Sequence, residues 1–117
     1  MLGLSGLFTL QSSPAYGHND KLDFVLENKT GYGIKEVYVG PHSSEEWGEN
    51  LINETLENGE TLDISFNKAA TARKWDIKIV WVDAGAPVVW MNCKLENISK
   101  FILHYNRDTD ETSAETE

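Results

Sequence analysis

The chain has 117 residues, a quarter of them charged, and a formal net charge of −9. That length bounds it to one domain, and the acidic balance argues against nucleic acid and anionic lipid as partners, because both need a basic footprint. A single cysteine, Cys93, excludes an intrachain disulfide and a cysteine-built zinc site.

Residues 2–10 form an apolar run too short to span a bilayer. Small residues follow at Ser13, Ala15 and Gly17. The pattern fits the apolar part and cleavage region of a secretory signal over residues 1–17, although no Lys or Arg precedes it. The competing reading is an N-terminal strand, LSGLFTL, packed on the core. On the first reading the protein is exported, to the periplasm or the extracellular space.

From residue 18 to 105 the sequence reads as one β domain. Short runs alternate apolar and polar residues and are separated by Gly, Asn, Asp and Pro. Leu22, Phe24 and Leu26 share one face of a first strand. In a second, the spacing from Ile34 to Val37 breaks parity and predicts a bulge near Lys35 and Glu36. Leu51, Ile52 and Leu56 form a weak strand. After it, a three-residue loop, Glu57-Asn58-Gly59 with Gly59 left-handed, places Leu56 on the face of Leu62, Ile64 and Phe66. Thr61, Asp63 and Ser65 then face water.

Residues 75–93 form a hairpin with Ala84-Gly85 as its turn, which sets Trp81 opposite Val88 and Ile79 opposite Trp90. Its core face holds Ile77, Ile79, Trp81, Val88 and Trp90. The other face turns apolar towards the tip, at Val80, Val82, Pro87, Val89 and Met91. Either a neighbouring segment covers that tip or it is an exposed contact patch. A last strand puts Phe101, Leu103 and Tyr105 on one face. Residues 106–117 set one arginine against five carboxylates, with no apolar residue larger than Ala114. They read as an acidic disordered tail. The fold expected is all-β: an antiparallel, immunoglobulin-like β-sandwich of about seven strands, with one short helical turn near residues 43–48.

That turn is expected from Ser43-Ser44-Glu45-Glu46, which fits a capping box in which Ser43 accepts from the Glu46 amide. Trp47 then folds down as a lid on the core, with Gly48 reversing the chain. Glu45, Glu46 and Glu49 are oxygen donors suited to calcium, but their spacing matches no EF-hand. Of the histidines, 18, 42 and 104, His42 near Glu45 and Glu46 makes the sole local cluster, too sparse for a zinc site. Three Asn-x-Ser/Thr triplets, beginning at Asn28, Asn53 and Asn97, match the glycosylation acceptor pattern. Cys93 reads as a small buried side chain. Neither a nucleophile elbow, a paired-histidine zinc motif nor a phosphate loop is found.

The run TGYGIKEVYVGPHSSEEWGENLI resembles a family of small, mostly bacterial, exported domains of unknown function with a Ser/acidic-Trp-Gly loop. LENGETLDISF, KWDIKIVWVDAG and WMNCKLENISKFILHY are similar to that family's later strands, so the likeness covers about residues 22–105. NCKLENISK is longer than the family's usual spacing. The resemblance implies a β-sandwich and export and brings no catalytic residues.

These readings converge on an exported, non-enzymatic domain that binds a protein or a cell-envelope component. Trp47, Val80, Val82, Pro87 and Val89 are the candidate contacts, and the tip at residues 80–89 could also pair two copies of the chain. No cofactor is required. One alternative is a calcium-dependent carbohydrate-binding module built on Glu45, Glu46 and Glu49. Another is a small hydrolase-like enzyme, which needs His42 or His104 beside Cys93 or a carboxylate in a cleft.

Overall fold

The structure is a computed structural model, and it describes residues 21–44, 46–67 and 70–117. The signal reading of residues 1–17 and His18 lie outside the described residues. Seven strands follow in chain order: β1 (Phe24–Lys29), β2 (Ile34–Pro41), β3 (Thr61–Ile64), β4 (Trp75–Trp81), β5 (Val88–Cys93), β6 (Lys100–Asn106) and β7 (Glu111–Thr116). They form a four-stranded sheet, order β3-β1-β6-β7, and a three-stranded sheet, order β2-β4-β5. All pairings are antiparallel except β1 with β6. The protein is a β-sandwich.

Alternation decides what each strand gives the core. Phe24 and Leu26 of β1, Leu62 and Ile64 of β3, and Phe101 and Leu103 of β6 are buried on the inner face of the larger sheet. Val37, Ile77 and Ile79 answer them from the smaller one. Between the sheets runs a chain of aromatic rings. Trp75 meets Phe66 at 4.9 Å between centroids, Phe66 meets Phe24 at 6.3 Å, Phe24 meets Phe101 at 6.3 Å, and Phe101 meets Trp90 at 5.5 Å. The chain starts on β4, crosses to the larger sheet and returns to β5. Its tilted and edge-on contacts suit the ring quadrupoles.

Polar side chains are buried at the margin of this core too, Asn28 and Thr30 among them. Asn28 is fully buried at the end of β1. Its amide nitrogen donates to Tyr32 O at 2.8 Å and to Leu56 O at 2.9 Å. Its carbonyl oxygen accepts from Thr30 N at 3.0 Å and from the Thr30 hydroxyl at 2.7 Å. The Asn28 backbone is tied to the 57–60 turn through Gly59 N and Glu60 O. Leu56 in turn bridges to Ile34 of β2. Asn28 therefore joins the β1–β2 connection, the 57–60 turn and the edge of the second sheet, with its amide satisfied on both ends. A glycan on this nitrogen is incompatible with the fold, since the amide donates to two carbonyls inside it.

The 57–60 turn has the expected left-handed Gly59, with φ +91°. Leu56 is buried with Leu62, Ile64 and Phe66, while Thr61, Asp63 and Ser65 are exposed. The bulge in β2 falls between Ile34 and Glu36, as parity predicts.

Four expectations are corrected. Residues 51–56 supply only the Leu56 bridge, and Leu51 N donates to Val37 O at 2.8 Å, so the segment runs as a cover along the edge of β2. The seventh strand is the acidic tail. β7 pairs with β6 from Phe101↔Thr116 to Asn106↔Glu111. Of the positions with inward parity, Ala114 packs on the core beside Leu103, Thr112 is half-buried and Thr116 is exposed, while Glu111, Ser113 and Glu115 point out. Asn106 opens the turn by accepting from Asp108 N and Thr109 N, and Asp110 takes the left-handed φ of +57°.

The β4–β5 register is displaced by two residues: Ile79 faces Val88 and Ile77 faces Trp90. A two-residue slip keeps parity, so the same side chains still face the core. The loop is longer because β4 continues along β2 instead, with Trp81 opposite Ile34 and Val82 N donating to Gly33 O. Lastly, residues 41–44 make a reverse turn, Ser44 N donating to Pro41 O, where a helical turn near residues 43–48 was expected. The 3-10 turn among the described residues is Leu95–Asn97.

On the outer face of the larger sheet, Lys100 Nζ stands 2.9 Å from Glu27 Oε1. This contact holds the Glu27 carboxyl below its ordinary range.

Asn28→Ala strands the buried Thr30 amide and removes one of the two hydrogen bonds that Leu56 O accepts, the other coming from Ile34 N. It is expected to cost about 2–4 kcal/mol and to lower the thermal midpoint by at least about 10 °C, measured by circular dichroism. Ala114→Glu puts a charge on the inner face of β7 and is expected to cost roughly 2–4 kcal/mol. Ser113→Glu, one residue away on the outer face, is expected to stay within about 0.5 kcal/mol. Equal effects of the last two in chemical denaturation would mean that residues 111–116 do not pair as β7.

Candidate functional site

The loop after β2 leaves through the 41–44 turn and must return to β2, because Asn50 Oδ1 accepts from Val37 N at 2.9 Å and Leu51 N reaches Val37 O. That return draws it across the outer face of the smaller sheet. Gly40 points outward there, and a methyl group on it would stand 3.6 Å from Trp47 Cα and 3.7 Å from its indole Cε3. The missing side chain makes the floor on which Trp47 lies. The capping box is replaced by a shorter contact, Glu46 N donating to Ser44 Oγ at 3.1 Å.

Trp47 is therefore not a lid on the core. It is half-buried on the opposite side of the sheet and takes no part in the core cluster. Lys78 Nζ lies 5.7 Å from its ring centroid and 5.4 Å from that of Tyr38, so one ammonium serves two aromatic faces. The Tyr38 hydroxyl donates to Glu36 at 2.5 Å, and this bond raises the phenol above its ordinary range.

A bulge shapes the next part of this face. Trp75 pairs with Cys93 and Ile77 with Trp90, so Asp76 opposes two residues, Met91 and Asn92. Asn92 takes φ +61°, and its displaced amide donates to Asp76 Oδ1 at 3.0 Å. His42 Nδ1 lies 2.9 Å from the same oxygen. A carboxylate offers only acceptors, so Nδ1 carries the proton. His42 thus stands beside a carboxylate, Asp76, that is distant in sequence. Cys93 lies on the other side of the strand, half-buried against the core, with Sγ 3.9 Å from Trp90 O. Burial pushes its thiol above the ordinary range, and the charge of Asp76 adds to the shift. His104 pairs with Glu115 at 3.1 Å on the far sheet.

Trp47, Val80 and Val89 share the outer face of the smaller sheet, joined by Lys78, which pairs directly with Val89. The apolar tip is open: Val82 is 49% exposed, Val89 43% and Met91 60%. Pro87 stands apart in the β4–β5 loop, where it lines a different feature. Glu46 and Glu49 are exposed, Glu45 lies outside the described residues, and no group of three or more metal-ligating side chains occurs among the described residues.

That other feature is a cleft of about 500 Å³ at the end of the sandwich where the β1–β2, β4–β5 and β6–β7 connections meet. Tyr32 and Tyr105 meet edge-on at 5.5 Å and 82°, and Trp81 meets Tyr105 at 6.3 Å and 62°. The Tyr105 hydroxyl donates to Asp110 at 2.5 Å. Alternation assigns Tyr105 to the core face, but it cannot show that β6 outruns the core at this end. Asp110 was hidden by the reading of the tail as disordered. The signal for it was the Asn106…Asp110 turn chemistry followed by alternating Thr112, Ala114 and Thr116.

No family model, curated protein or solved structure matches this chain.

Cys93 is expected to react with iodoacetamide at pH 8 at least about tenfold more slowly in the folded protein than in urea. The folded rate should climb only above pH 9, the ordinary thiol value. Because the folded thiol ionises later than the unfolded one, stability should also decline as pH rises past 9. Equal alkylation rates in the two states would contradict the buried setting.

Proposed function

We propose that this chain is an exported, non-catalytic β-sandwich that binds an extended stretch of a partner protein along the free edge of β5. The observation that carries this reading is the contrast among the four sheet edges. Edge strands invite pairing, and proteins blunt them with charge, shortness or a cover. β3 has four residues and carries Asp63, and β7 carries Glu111 and Glu115. β2 is covered by residues 50–56 through the Val37 and Ile34 contacts. β5, VVWMNC, has no charged residue, and among the described residues no strand lies on its far side.

Ahead of the bulge at Asn92, an added strand would find residues 88–91, about 13 Å of regular backbone, to pair with. Alternate side chains of that strand would lie beside Val89 and Met91, the exposed apolar pair. Backbone bonds supply affinity in such docking and the flanking side chains supply selectivity. The net charge of −9 favours a basic segment. Export is supported by the apolar leader pattern and by the resemblance to exported β domains.

Selection from a library of displayed unstructured peptides tests the reading. Enriched peptides are expected to alternate apolar residues at every second position and to carry net positive charge. Val89→Lys with Met91→Lys should leave the thermal midpoint within about 3 °C, since both side chains are solvent-facing. The pair should weaken the selected peptides at least about tenfold, while Ser113→Lys on β7 leaves them unchanged. Peptides that bind the β5 variant as well as the parent would overturn the assignment.

A further inference from the structure

We infer that the cleft at the β1–β2, β4–β5 and β6–β7 end is a binding site for an alkylammonium group. The site is separate from the β5 edge and does not depend on that reading. Its walls are the rings of Tyr32, Trp81 and Tyr105, set at steep angles so that they form a corner rather than a flat platform. Ring faces left open to such a corner attract a compact positive group, because a face carries the negative side of the quadrupole. A sugar ring prefers a single broad face.

Charge points the same way. The lining contains two carboxylates, Asp83 and Asp110, and no lysine, arginine or histidine among the described residues. Asp110 is held by the Tyr105 hydroxyl, which fixes its carboxylate at the mouth of the corner. The exposed Asp83 makes no hydrogen bond or ion pair among the described residues. Arg107 on the β6–β7 turn acts on Tyr105 at a distance but does not line the cleft. Two carboxylates beside three rings, with no cation among the described lining residues, are complementary to a cation that is also greasy, and an alkylammonium head is both. The volume of about 500 Å³ admits such a head with several carbons attached.

Gly85 supports the arrangement. A methyl group at this position would come within 3.2 Å of Trp81 Cδ1, so the loop lies directly against the indole and fixes one wall.

This chemistry reaches a protein either as a free organic amine or as a lysine side chain on a polypeptide. Titration of the full chain, followed by the NMR shifts of the Trp81 indole NH and the Thr112 amide, tests the site. The probes are tetramethylammonium, n-butylammonium, the neutral isostere neopentyl alcohol, and Nα-acetyl-lysine methylamide with its trimethyl-lysine form. The cationic probes are expected to move these two signals saturably, and neopentyl alcohol to bind at least about fivefold more weakly. Asp83→Asn removes charge without touching the Tyr105–Asp110 bond and should weaken the cations about threefold. Tyr32→Ala should weaken them about fivefold. Tighter binding of the lysine compounds than of the free amines would assign the group to a polypeptide side chain, and the reverse order to a free organic cation; both orders support the site. Equal binding of neopentyl alcohol, indifference to Asp83→Asn, or shifts confined to residues outside the cleft would overturn it.

Discussion

The two sheets are tied where Asn28 leaves β1. Hydrophobic burial pulls the sheets together but has no direction, and any pair of apolar faces would satisfy it. A fully buried amide does have direction. Asn28 offers its donors to Tyr32 O and Leu56 O and its acceptor to Thr30, so it ties the β1–β2 connection, which holds Thr30 and Tyr32, to the distant segment at Leu56. Leu56 carries the connection onward to Ile34 at the head of β2. Moving either sheet along the other would leave several of these groups unpaired in a dry setting, which costs far more than it returns. The aromatic chain from Trp75 to Trp90 then fills the space whose width this joint sets.

From that joint follows the shape of the outer surface. Residues 50–56 are held along β2, so the loop before them has to cross the sheet rather than cover the end of the sandwich. Trp47 is carried over with it and lands on the gap at Gly40. On the same face the bulge opposite Asp76 turns an amide out of the ladder, and the Asp76 carboxylate captures it together with His42. The polar cluster, with Met91 beside it, and the exposed valines towards the hairpin tip thus occupy a single surface. The ammonium of Lys78 sits between them over two rings. The opposite end of the molecule is ordered by different means, through three connections that bring Tyr32, Asp83 and Asp110 to Trp81 of β4 and Tyr105 of β6.

Much of this was legible in local pattern. Phe24, Leu26, Leu62, Ile64, Phe101 and Leu103 face inward because neighbouring side chains on a strand point to opposite sides, a rule that needs no partner. The β2 bulge was visible as a break in that parity, and the left-handed Gly59 as the only turn that keeps Leu56 with Leu62. The β4–β5 hairpin shows how robust such readings are: its register was displaced, yet an even slip returned the same residues to the core. Of the candidate contacts, Trp47 was assigned to the right loop and the wrong side of the sheet. The tail was misjudged because bulk was taken as the measure of what can pack. Ala114 is small, which is what the space beside Leu103 accepts, and backbone pairing with β6 holds the rest of the strand.

The sequence by itself determined the all-β character, the inward and outward face of nearly every strand and the chemistry of its turns, because each depends on a few adjacent residues. Tertiary structure alone decided that β1 runs parallel to β6, that β7 completes the larger sheet, that Trp47 lies outside the core, and that Asp76 meets His42 while Tyr105 meets Tyr32. Those outcomes depend on pairings between residues far apart in the chain, and no local periodicity records which distant strand or loop will arrive alongside.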